Sequence, residues 1–544
     1  MRFAAAAAVI ASVAVAVPAA SARDAAPLLA DVSVETGGPP FAGDRRLLAT
    51  VSPNSADRAV AVVRFALKSV ATVKVEAVRK GRDTKDVVVW SASQRVGAGR
   101  HSFRWRPELT IEPGTYLMRI TVVRAGLKRV YGARRPTATS LSRAPVVRVL
   151  GVEATFTSRS YAPGELAPLR VAVDAQAVSV QIYRSGDELE NTNRNDEMKG
   201  IAVGEPVSYD WTLHRNHPRA LAVQLDTSWP SGVYFARLTT DDGRLGFAPF
   251  ILRAAGAGAS RVAVVLPTNT WQAYNFRDVD GDGWGDTWYA GGSPPVVLDR
   301  AYLNRGVPPR FRRYDLSFLR WLNWTNKRPD FFADDDLTRF TSGDELRAKY
   351  DLIIFPGHSE YTTAYAYDVI ERFRDRGGNL VFLSANNFFW RVDQKGNQIR
   401  RIAQWRTLNR PEASLIGSQY RANDDGTRQG VYYVSNTAAA PWLWEGTGLA
   451  DGSTLGEFVG GYGIEIDATT KDSPPGTQVL AVIPNLFGLG IHGEMTYYEA
   501  PSGARVFAAG ALDFGGSATF WPVRRMLENL WRELSVPRVA TPAK

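Results

Sequence analysis

The feature that most constrains the fold of this chain is a change in hydrophobic periodicity at the small-residue stretch 254–260. Before it, short runs rich in β-branched and aromatic residues, such as 59–66 and 115–123, are separated by turn residues at a spacing that predicts β-sandwiches. After it, continuous apolar runs such as 261–266 and 351–355 alternate with helical patterns. That alternation predicts a parallel sheet with helices on both faces.

The β-rich half of the chain contains a weak internal repeat. Residues 114–120 (GTYLMRI) parallel residues 232–238 (GVYFARL), and in both a glycine begins a strand whose Tyr and Arg lie on different faces. The repeat favours two immunoglobulin-like β-sandwiches in tandem. We therefore predict a first sandwich over 27–150, a second over 151–254 and an α/β domain over 259–540.

Helix signals in the α/β domain agree with this division. Ser342 and Glu345 have the spacing of a capping box and predict a helix that runs to about Lys349. A second helix is expected over 364–376, where two glycines stop it, and an amphipathic helix over 521–534.

Composition excludes several kinds of chemistry. The chain has no cysteine among its 544 residues, which rules out disulfides, zinc–thiolate sites, iron–sulfur clusters and a cysteine nucleophile. A metal site with three of its five histidines would need distant segments to converge. The formal net charge of +10 is spread along the chain without interleaved aromatic residues, so we expect no nucleic-acid partner.

Residues 1–22 have the pattern of a secretory signal peptide. Arg2 supplies the positive start, 3–17 is an Ala/Val-rich apolar run, and 20–22 (ASA) offers a cleavage site. Later segments lack 18 uninterrupted apolar residues, so we expect no membrane span in the mature chain. The protein is therefore predicted to be secreted or extracytoplasmic.

The strands of the predicted parallel sheet end in polar, aromatic-rich segments. Segments 267–275, 356–361 and 384–392 each follow an apolar run directly. Because ligands of such sheets bind beyond the carboxyl ends of the strands, we expect the functional residues to lie on this rim.

Two His-x-Glu pairs, His358 with Glu360 and His492 with Glu494, occur in a chain that has five histidines. At the end of a strand, side chains two residues apart can share a face, so each pair could reach one metal or one substrate. The alternative is that they cap the helices that follow. The pattern by itself leaves both interpretations open.

Four ordered motifs lie in the α/β region: 269–275 (NTWQAYN), 299–302 (DRAY), 357–361 (GHSEY) and 386–392 (NNFFWRV). They resemble the C-terminal domain of the N,N-dimethylformamidase large (β) subunit family. Segments 161–164 (YAPG) and 229–234 (WPSGVY) are similar to the sandwich domain that precedes it there, so the resemblance covers 150–535. It implies a glutamine-amidotransferase-like (flavodoxin-like) α/β fold and a mononuclear iron site.

In that family two tyrosinates and a glutamate bind the iron. The resemblance implies Tyr274 and Glu360 as ligands, with Tyr302 as the second tyrosine and Tyr314 as its competitor. The catalytic set around the metal would be His358, Asn386, Glu494 and Thr270. The family enzyme also pairs with a small subunit, which this chain does not contain.

The chain departs from the family pattern at three positions near these residues. Ser359 replaces a proline, Thr362 replaces a bulky residue and Asn387 replaces a glycine. These changes alter the shape of the pocket, so the identity of the amide stays open.

The implied donors suit the implied chemistry. Phenolate and carboxylate oxygens are hard anionic ligands for ferric iron, and three of them leave positions for water and a carbonyl oxygen. Glu494 or His358 would act as general base, and Asn386 would donate to the oxyanion. We therefore predict an exported iron-dependent hydrolase of an amide-type C–N bond, whose ligand is a small-molecule amide or a cell-envelope component.

Residues 278–286 (DVDGDGWGD) form a second candidate metal site. Positions 1, 3, 5, 7 and 9 of a calcium loop fall on Asp278, Asp280, Asp282, Trp284 and Asp286, with Trp284 offering its backbone carbonyl. Position 12 is Tyr289 rather than a bidentate glutamate, so binding would be weak. We expect a structural calcium here; the alternative is an acidic turn without an ion.

Two other functions remain open from the sequence. One is a non-enzymatic envelope protein, in which the sandwiches bind carbohydrate or protein and the α/β domain is a degenerate scaffold. The other is a glycan-processing enzyme that uses Glu360 and Glu494 as its carboxylate pair. Convergence of Tyr274, a second tyrosine and Glu360 at one rim would favour the iron hydrolase.

Overall fold

The computed structural model describes residues 28–80, 86–136, 143–289, 293–457 and 460–536, and the segment 1–22 lies outside them. Three β-rich units follow one another along the chain, which confirms the multidomain, β-rich organisation expected from the sequence. Within the described residues, no helix is both long and apolar enough to span a bilayer.

The first unit contains nine strands in two sheets. They are β1 (Leu29–Thr36), β2 (Leu48–Val51), β3 (Ala61–Leu67), β4 (Ala71–Arg79), β5 (Val87–Val96), β6 (Gly99–Trp105), β7 (Gly114–Arg124), β8 (Leu127–Tyr131) and β9 (Val146–Val149). One sheet has the order β1-β3-β6 and the other β2-β9-β7-β4-β5, with β8 beside β7. Phe65 of β3 shares one core with Val73 and Val75 of β4. The intervening Thr72 and Lys74 are exposed, as the alternation of a half-buried strand requires.

Eight strands in two sheets form the second unit. They are β10 (Glu153–Phe156), β11 (Ser160–Tyr161), β12 (Leu166–Ala172), β13 (Ala177–Arg184), β14 (Ile201–Asp210), β15 (Arg219–Gln224), β16 (Gly232–Thr240) and β17 (Leu245–Leu252). One sheet has the order β10-β12-β15 and the other β11-β17-β16-β13-β14. A short 3-10 helix, Thr212–His214, follows β14.

The weak sequence repeat has a structural counterpart in these two units. The hydroxyls of Tyr116 and Tyr234 each donate to a backbone carbonyl four residues upstream, at 2.7 and 2.8 Å. A tyrosine bonded in this way is a feature of immunoglobulin-type sandwiches. The immunoglobulin-like identity of the two units stays a prediction.

The third unit contains a nine-stranded main sheet, smaller sheets and flanking helices. Its strands are β18 (Val262–Leu266), β19 (Val296–Val297), β20 (Asp330–Ala333), β21 (Leu352–Phe355), β22 (Tyr361–Thr363), β23 (Asn379–Phe382), β24 (Trp390–Lys395), β25 (Gln398–Gln404), β26 (Gln419–Asn423), β27 (Gln429–Gly430), β28 (Tyr432–Val434), β29 (Thr454–Leu455), β30 (Tyr462–Gly463), β31 (Glu465–Ala468), β32 (Gln478–Ile483), β33 (Gly493–Glu499) and β34 (Arg505–Ala508). Its helices are α1 (Thr268–Ala273), α2 (Phe311–Tyr314), α3 (Leu316–Trp324), α4 (Gly343–Lys349), α5 (Ala364–Asp375), α6 (Ala413–Ile416), α7 (Pro441–Trp444) and α8 (Val523–Leu534). Short 3-10 helices span Asp334–Arg339, Trp405–Leu408, Thr437–Ala439 and Gly515–Ser517.

The main sheet has the order β20-β18-β21-β23-β34-β33-β32-β28-β29, and β19-β25-β24-β22 form a second sheet. From β20 to β34 the neighbours are parallel, as the apolar runs predicted. From β33 to β29 the sheet continues antiparallel. The expected parallel sheet is therefore limited to five strands. Later strands that follow one another in the chain, such as β32, β33 and β34, pair antiparallel, because short connections can join only antiparallel neighbours.

Both faces of the parallel part are covered. In β18, Val262 and Val264 belong to one core cluster, together with residues of α3 and α8. Ala263 and Val265 belong to another cluster, together with residues of α5. Since both faces are buried, the carboxyl-terminal edge of these strands is where polar side chains can gather.

The helix boundaries follow local signals. Helix α4 begins after Ser342, whose side chain accepts a hydrogen bond from the N–H of Glu345 at 3.3 Å, as the capping pattern predicted. In a capping box the Glu345 carboxylate would accept from the N–H of Ser342. Here it accepts from the N–H and the hydroxyl of Thr341, one residue earlier. Helix α5 ends at Asp375, and Gly377 takes the left-handed conformation with φ of +83°.

Candidate active site

The ends of two neighbouring parallel strands bring Tyr274, His358 and Glu360 together. Tyr274 directly follows α1, which comes after β18, and His358 and Glu360 lie between β21 and β22. The Tyr274 hydroxyl donates a hydrogen bond to the Glu360 carboxylate. The Nε2 atom of His358 lies 3.6 Å from Oε2 of the same carboxylate. A phenol, an imidazole and a carboxylate therefore meet at the rim that the strand order indicates.

Two side chains of α1 fix the backbone of the segment that carries Glu360. The N–H of Glu360 donates to the Thr270 hydroxyl at 3.1 Å. The side-chain amide of Asn269 donates to the carbonyl of Tyr361 at 3.2 Å. In this structure Thr270 thus positions Glu360 through the backbone.

Two residues that the sequence analysis did not single out join the cluster. The ring centroid of Tyr361 lies 5.9 Å from that of Tyr274, and Tyr361 directly follows Glu360 in the chain. Glu465 begins β31, and its Oε2 lies 3.2 Å from Nε2 of His358. The imidazole therefore lies between two carboxylates.

The sequence carries a signal for Tyr361 but none for Glu465. Tyr361 belongs to the GHSEY motif, whereas Glu465 is a single acid outside any motif. The residue before it, Ile464, has φ of +69°, a left-handed conformation that is rare for a β-branched side chain. Strain of this kind persists where the surrounding fold fixes a local geometry, often at functional sites.

Burial and mutual charge shift the pKa values in this cluster. Burial raises the pKa of Glu360 to about 7; Glu465 adds to the rise and His358 opposes it. Burial alone would lower the pKa of His358, but Glu465 and Glu360 outweigh it and raise the pKa. Burial, followed by the charge of Glu360, raises the pKa of Tyr274 well above 10. In the absence of a cation, the cluster therefore favours a neutral phenol and shared protons.

The donor set fits a hard metal cation. Among the described residues, Nε2 of His358 and Oε2 of Glu465 are buried without a hydrogen bond of good geometry, which is unusual for such polar atoms. Phenolate and carboxylate oxygens are the donors that ferric iron prefers. A cation between Tyr274 and Glu360 would stabilise the charged forms that burial disfavours.

Tyr302, which the resemblance implied as a ligand, has a different set of neighbours. It is partly buried and packs against the core that includes α3 and α8. Burial raises its pKa, and the charges of Arg159 and Arg300 oppose the rise. Its role as the second tyrosine ligand stays a prediction.

Two other tyrosines lie close to residues of the cluster. Tyr314 packs against Ile464, the residue before Glu465. Burial raises the pKa of Tyr314, and the charges of Asp513 and Glu465 add to the rise. The ring of Tyr361 lies against that of Tyr274. The identity of the second tyrosine stays a prediction.

Asn386 lies beyond the end of β23, next to the cluster. Its N–H donates to Asp467 at 2.8 Å, and the charge of Asp467 acts on His358. The Asn386 side chain is buried, and its Oδ1 atom, a hydrogen-bond acceptor, has no partner among the described residues.

The second His-x-Glu pair is occupied elsewhere. The Glu494 carboxylate accepts two hydrogen bonds from Thr469, from its N–H and its hydroxyl, both at 2.7 Å. The ring of His492 accepts from the N–H of Asn485 at 3.3 Å. These contacts tie β33 to nearby loops and give neither residue a link to His358.

The acidic loop after Tyr274 has the compact form expected of a cation site. Asp278, Asp280 and Asp286 can each place one oxygen within 4.8 Å of the others. The Asp278 carboxylate accepts from the N–H groups of Gly281 and Gly283 at 2.7 and 2.8 Å. Burial, with the charges of neighbouring aspartates adding to it, raises the pKa of Asp278 to about 7.

A guanidinium group also contacts this loop. The side chain of Arg135, from the first unit, reaches Asp282 and Asp286 at 2.8 Å each. It therefore supplies part of the positive charge that a bound cation would otherwise provide.

Comparison with known proteins gives one family. A family model described as N,N-dimethylformamidase beta subunit-like, C-terminal, matches residues 179–525, more than half of the chain. The N,N-dimethylformamidase beta subunit of Alcaligenes sp is 23% identical over 265 residues, covering 38% of this chain and 34% of that protein. The corresponding subunit of Paracoccus aminophilus is 22% identical over 265 residues with the same coverage. The chain thus spans about a third of the length of the curated relatives it matches.

A solved structure, of a Corynebacterium diphtheriae protein described as membrane anchored, is 14% identical and covers 41% of this chain and 53% of that chain. Its TM-score of 0.18 is too low to carry an argument.

Proposed function

Because this chain belongs to the N,N-dimethylformamidase beta subunit-like family, we propose that it hydrolyses the C–N bond of an amide at the Tyr274–Glu360 site. The observation that carries the proposal is the convergence of Tyr274, His358, Glu360 and Glu465 at the ends of the parallel strands. Side chains so far apart in sequence meet there, and His358 and Glu465 keep polar atoms without a hydrogen bond among the described residues.

Tyr274 and Glu360 are the residues that would hold iron, with Tyr361 as the second tyrosine and Tyr314 as its competitor. Tyr302 is the tyrosine that the family resemblance implies, and the charges that act most on its phenol are those of Arg159 and Arg300 rather than that of Glu360. When bound, iron supplies the Lewis acidity that polarises a carbonyl group and lowers the pKa of a water molecule. The hydrogen bond that the backbone N–H of Glu360 donates to the Thr270 hydroxyl fixes the segment that carries this carboxylate.

His358 is the proton carrier in this proposal. Its Nε2 accepts a proton from the attacking water and returns it to the nitrogen of the leaving amine. The flanking carboxylates of Glu360 and Glu465 stabilise the imidazolium that forms between these two transfers. We assign to the side-chain NH2 group of Asn386 the donation to the oxygen of the tetrahedral intermediate, where one such donor contributes about 2.7–4 kcal/mol.

Metal analysis beside an amide-hydrolysis assay tests the proposal. We expect purified wild-type protein to contain iron in stoichiometric amount and to release amine from a simple amide. Glu360→Gln and Tyr274→Phe should lose most of the iron and the activity, whereas Glu494→Gln, on the other His-x-Glu pair, should retain both. Iron content unchanged in Glu360→Gln would refute the assignment of the site.

A weak structural calcium at the loop of Asp278, Asp280 and Asp286 is part of the same proposal. The mutual proximity of these carboxylates supports it. Calcium there would hold the loop that follows Tyr274, with the Trp284 carbonyl as a further ligand.

Export and partnership complete the proposal. The leader-like residues 1–22 support an extracytoplasmic location. The relatives are named as beta subunits, which supports a small subunit as a partner. The contacts of Glu494 do not favour the glycan-processing alternative, because its carboxylate is held by two hydrogen bonds from Thr469.

A further inference from the structure

A cavity of about 230 Å³ lies apart from the active site, between β29 and the start of α8. Three aromatic residues line it, Tyr462, Phe520 and Trp521. Tyr462 is fully buried, whereas Phe520 and Trp521 are 48% and 52% exposed. One ring therefore forms the inner wall, and two rings flank the opening.

The described lining of this cavity carries negative charge and no positive charge. Among the described residues that line it, Glu457 is the charged one, and the rest are aromatic, aliphatic, hydroxyl-bearing or glycine. Glu457 and Tyr462 line the same cavity. Burial is the largest cause of the rise in the pKa of Tyr462, and the charges of Asp513 and Glu457 add to it. The negative charge thus lies on the wall that the aromatic residues share.

We propose that this cavity binds a small organic ammonium ion, such as an alkylated or quaternary amine. The faces of aromatic rings carry negative electrostatic potential and attract cations, and the attraction strengthens where water is excluded. Glu457 supplies the formal countercharge. Arg524, whose guanidinium carbon lies 6.0 Å from the centroid of the Trp521 ring, is not among the residues that line the cavity.

The cavity excludes other classes of ligand by its lining and its size. A calcium or magnesium ion needs about six oxygen ligands, and this cavity offers a single carboxylate. An anion would face Glu457 without a basic group among the described lining residues. The volume is below the roughly 300–1,000 Å³ of drug-sized pockets, so the ligand has few heavy atoms.

Calorimetric titration of the full-length protein with choline, beside 3,3-dimethylbutan-1-ol, tests the proposal. The alcohol has the same shape with carbon in place of the charged nitrogen, so it measures apolar burial alone. We expect choline to bind at least about tenfold more tightly than the alcohol, the ratio that a cation–aromatic attraction of ordinary strength gives.

Two substitutions locate the binding. Trp521→Ala and Glu457→Gln should each weaken choline binding about tenfold. Trp324→Ala, at a tryptophan that is 54% exposed elsewhere, and Glu190→Gln, at an exposed glutamate of the second unit, should leave it unchanged. Glu457 is exposed, so its variant tests the site even if the Trp521 variant fails to fold.

Three results would overturn the proposal. They are equal binding of choline and the alcohol, binding of glucose in preference to choline, and absence of choline binding by the folded wild-type protein at millimolar concentration. The amide-hydrolysis assay is independent of all three, since Trp521 and Glu457 make no contact with the Tyr274–Glu360 site.

Discussion

The Tyr274 hydroxyl and the Glu360 carboxylate are hydrogen-bonded across 86 residues of sequence. The contact exists because β18 and β21 are parallel neighbours, so the segments that follow them reach the same edge of the sheet. The Glu360 carboxylate is buried and the Tyr274 phenol is partly buried, and burial disfavours the charged form of each. A cation bound between them would resolve that conflict, which is the physical basis for assigning a metal there.

The second tyrosine ligand can be identified by three phenylalanine variants. Tyr361→Phe should lower iron content and abolish most of the phenolate-to-iron absorption, because its ring lies against that of Tyr274. Tyr302→Phe should change neither, because the charges that act most on its phenol are those of Arg159 and Arg300. Iron content and the visible spectrum of each purified variant are the measurements.

Tyr314→Phe serves as the comparison within this series. Its side chain packs against Ile464, the residue before Glu465, so a loss of colour in this variant with full colour in Tyr361→Phe would transfer the assignment to Tyr314. A loss confined to Tyr302→Phe would transfer it to Tyr302 instead.

The rim of the site could be predicted because it depends on local patterns. An apolar run followed by a polar segment is visible in one sequence, and the parallel pairing of such runs places Tyr274, His358 and Glu360 at one edge. The Ser342 cap and the end of α5 near Gly377 follow from equally local chemistry.

Glu465 could not be predicted because no local pattern points to it. It arrives on the four-residue strand β31, which pairs with β26 outside the main sheet. Its direction depends on the left-handed backbone of Ile464, which only the tertiary fold imposes. The antiparallel half of the main sheet was missed for a related reason, since strands of two or three residues such as β29 and β28 are too short to show a period.

Glu465→Gln should lower kcat for amide hydrolysis about 100-fold with little change in KM, because the carboxylate stabilises the protonated form of His358 rather than binding the substrate. Iron content should stay near the wild-type level. Glu494→Gln is the matched control, since that carboxylate is held by Thr469. Equal losses of kcat in the two variants would deny Glu465 a distinct role.

Glu153 should make the stability of the protein depend on pH. Burial alone would raise the pKa of Glu153, but Arg148 and Arg277 outweigh it and lower the pKa from 4.5 to about 2. The ionised form is therefore favoured in the folded state, and its contribution is present above pH 4.5 and lost as the pH falls towards 2. The shift corresponds to about 3 kcal/mol of unfolding free energy.

Urea unfolding of wild type and Glu153→Gln at pH 7, 5 and 3 measures this effect. The difference in unfolding free energy between the two proteins should be largest at pH 7 and should shrink at pH 3. Glu35→Gln, at an exposed partner of Arg64, provides a control that should show no such trend. Parallel curves for wild type and Glu153→Gln would show that Glu153 titrates normally.

Arg135 should compete with calcium for the acidic loop. Its guanidinium reaches Asp282 and Asp286 at 2.8 Å each and so neutralises part of the charge that a cation would bind. Arg135→Ala should therefore lose stability in a chelator and gain more than wild type in melting temperature when millimolar calcium is added, because a cation that binds only the folded state stabilises it. Asp278→Asn removes a candidate ligand and should abolish the calcium response in both backgrounds. A calcium response that is the same with and without Arg135 would mean that the guanidinium and the ion do not share these carboxylates.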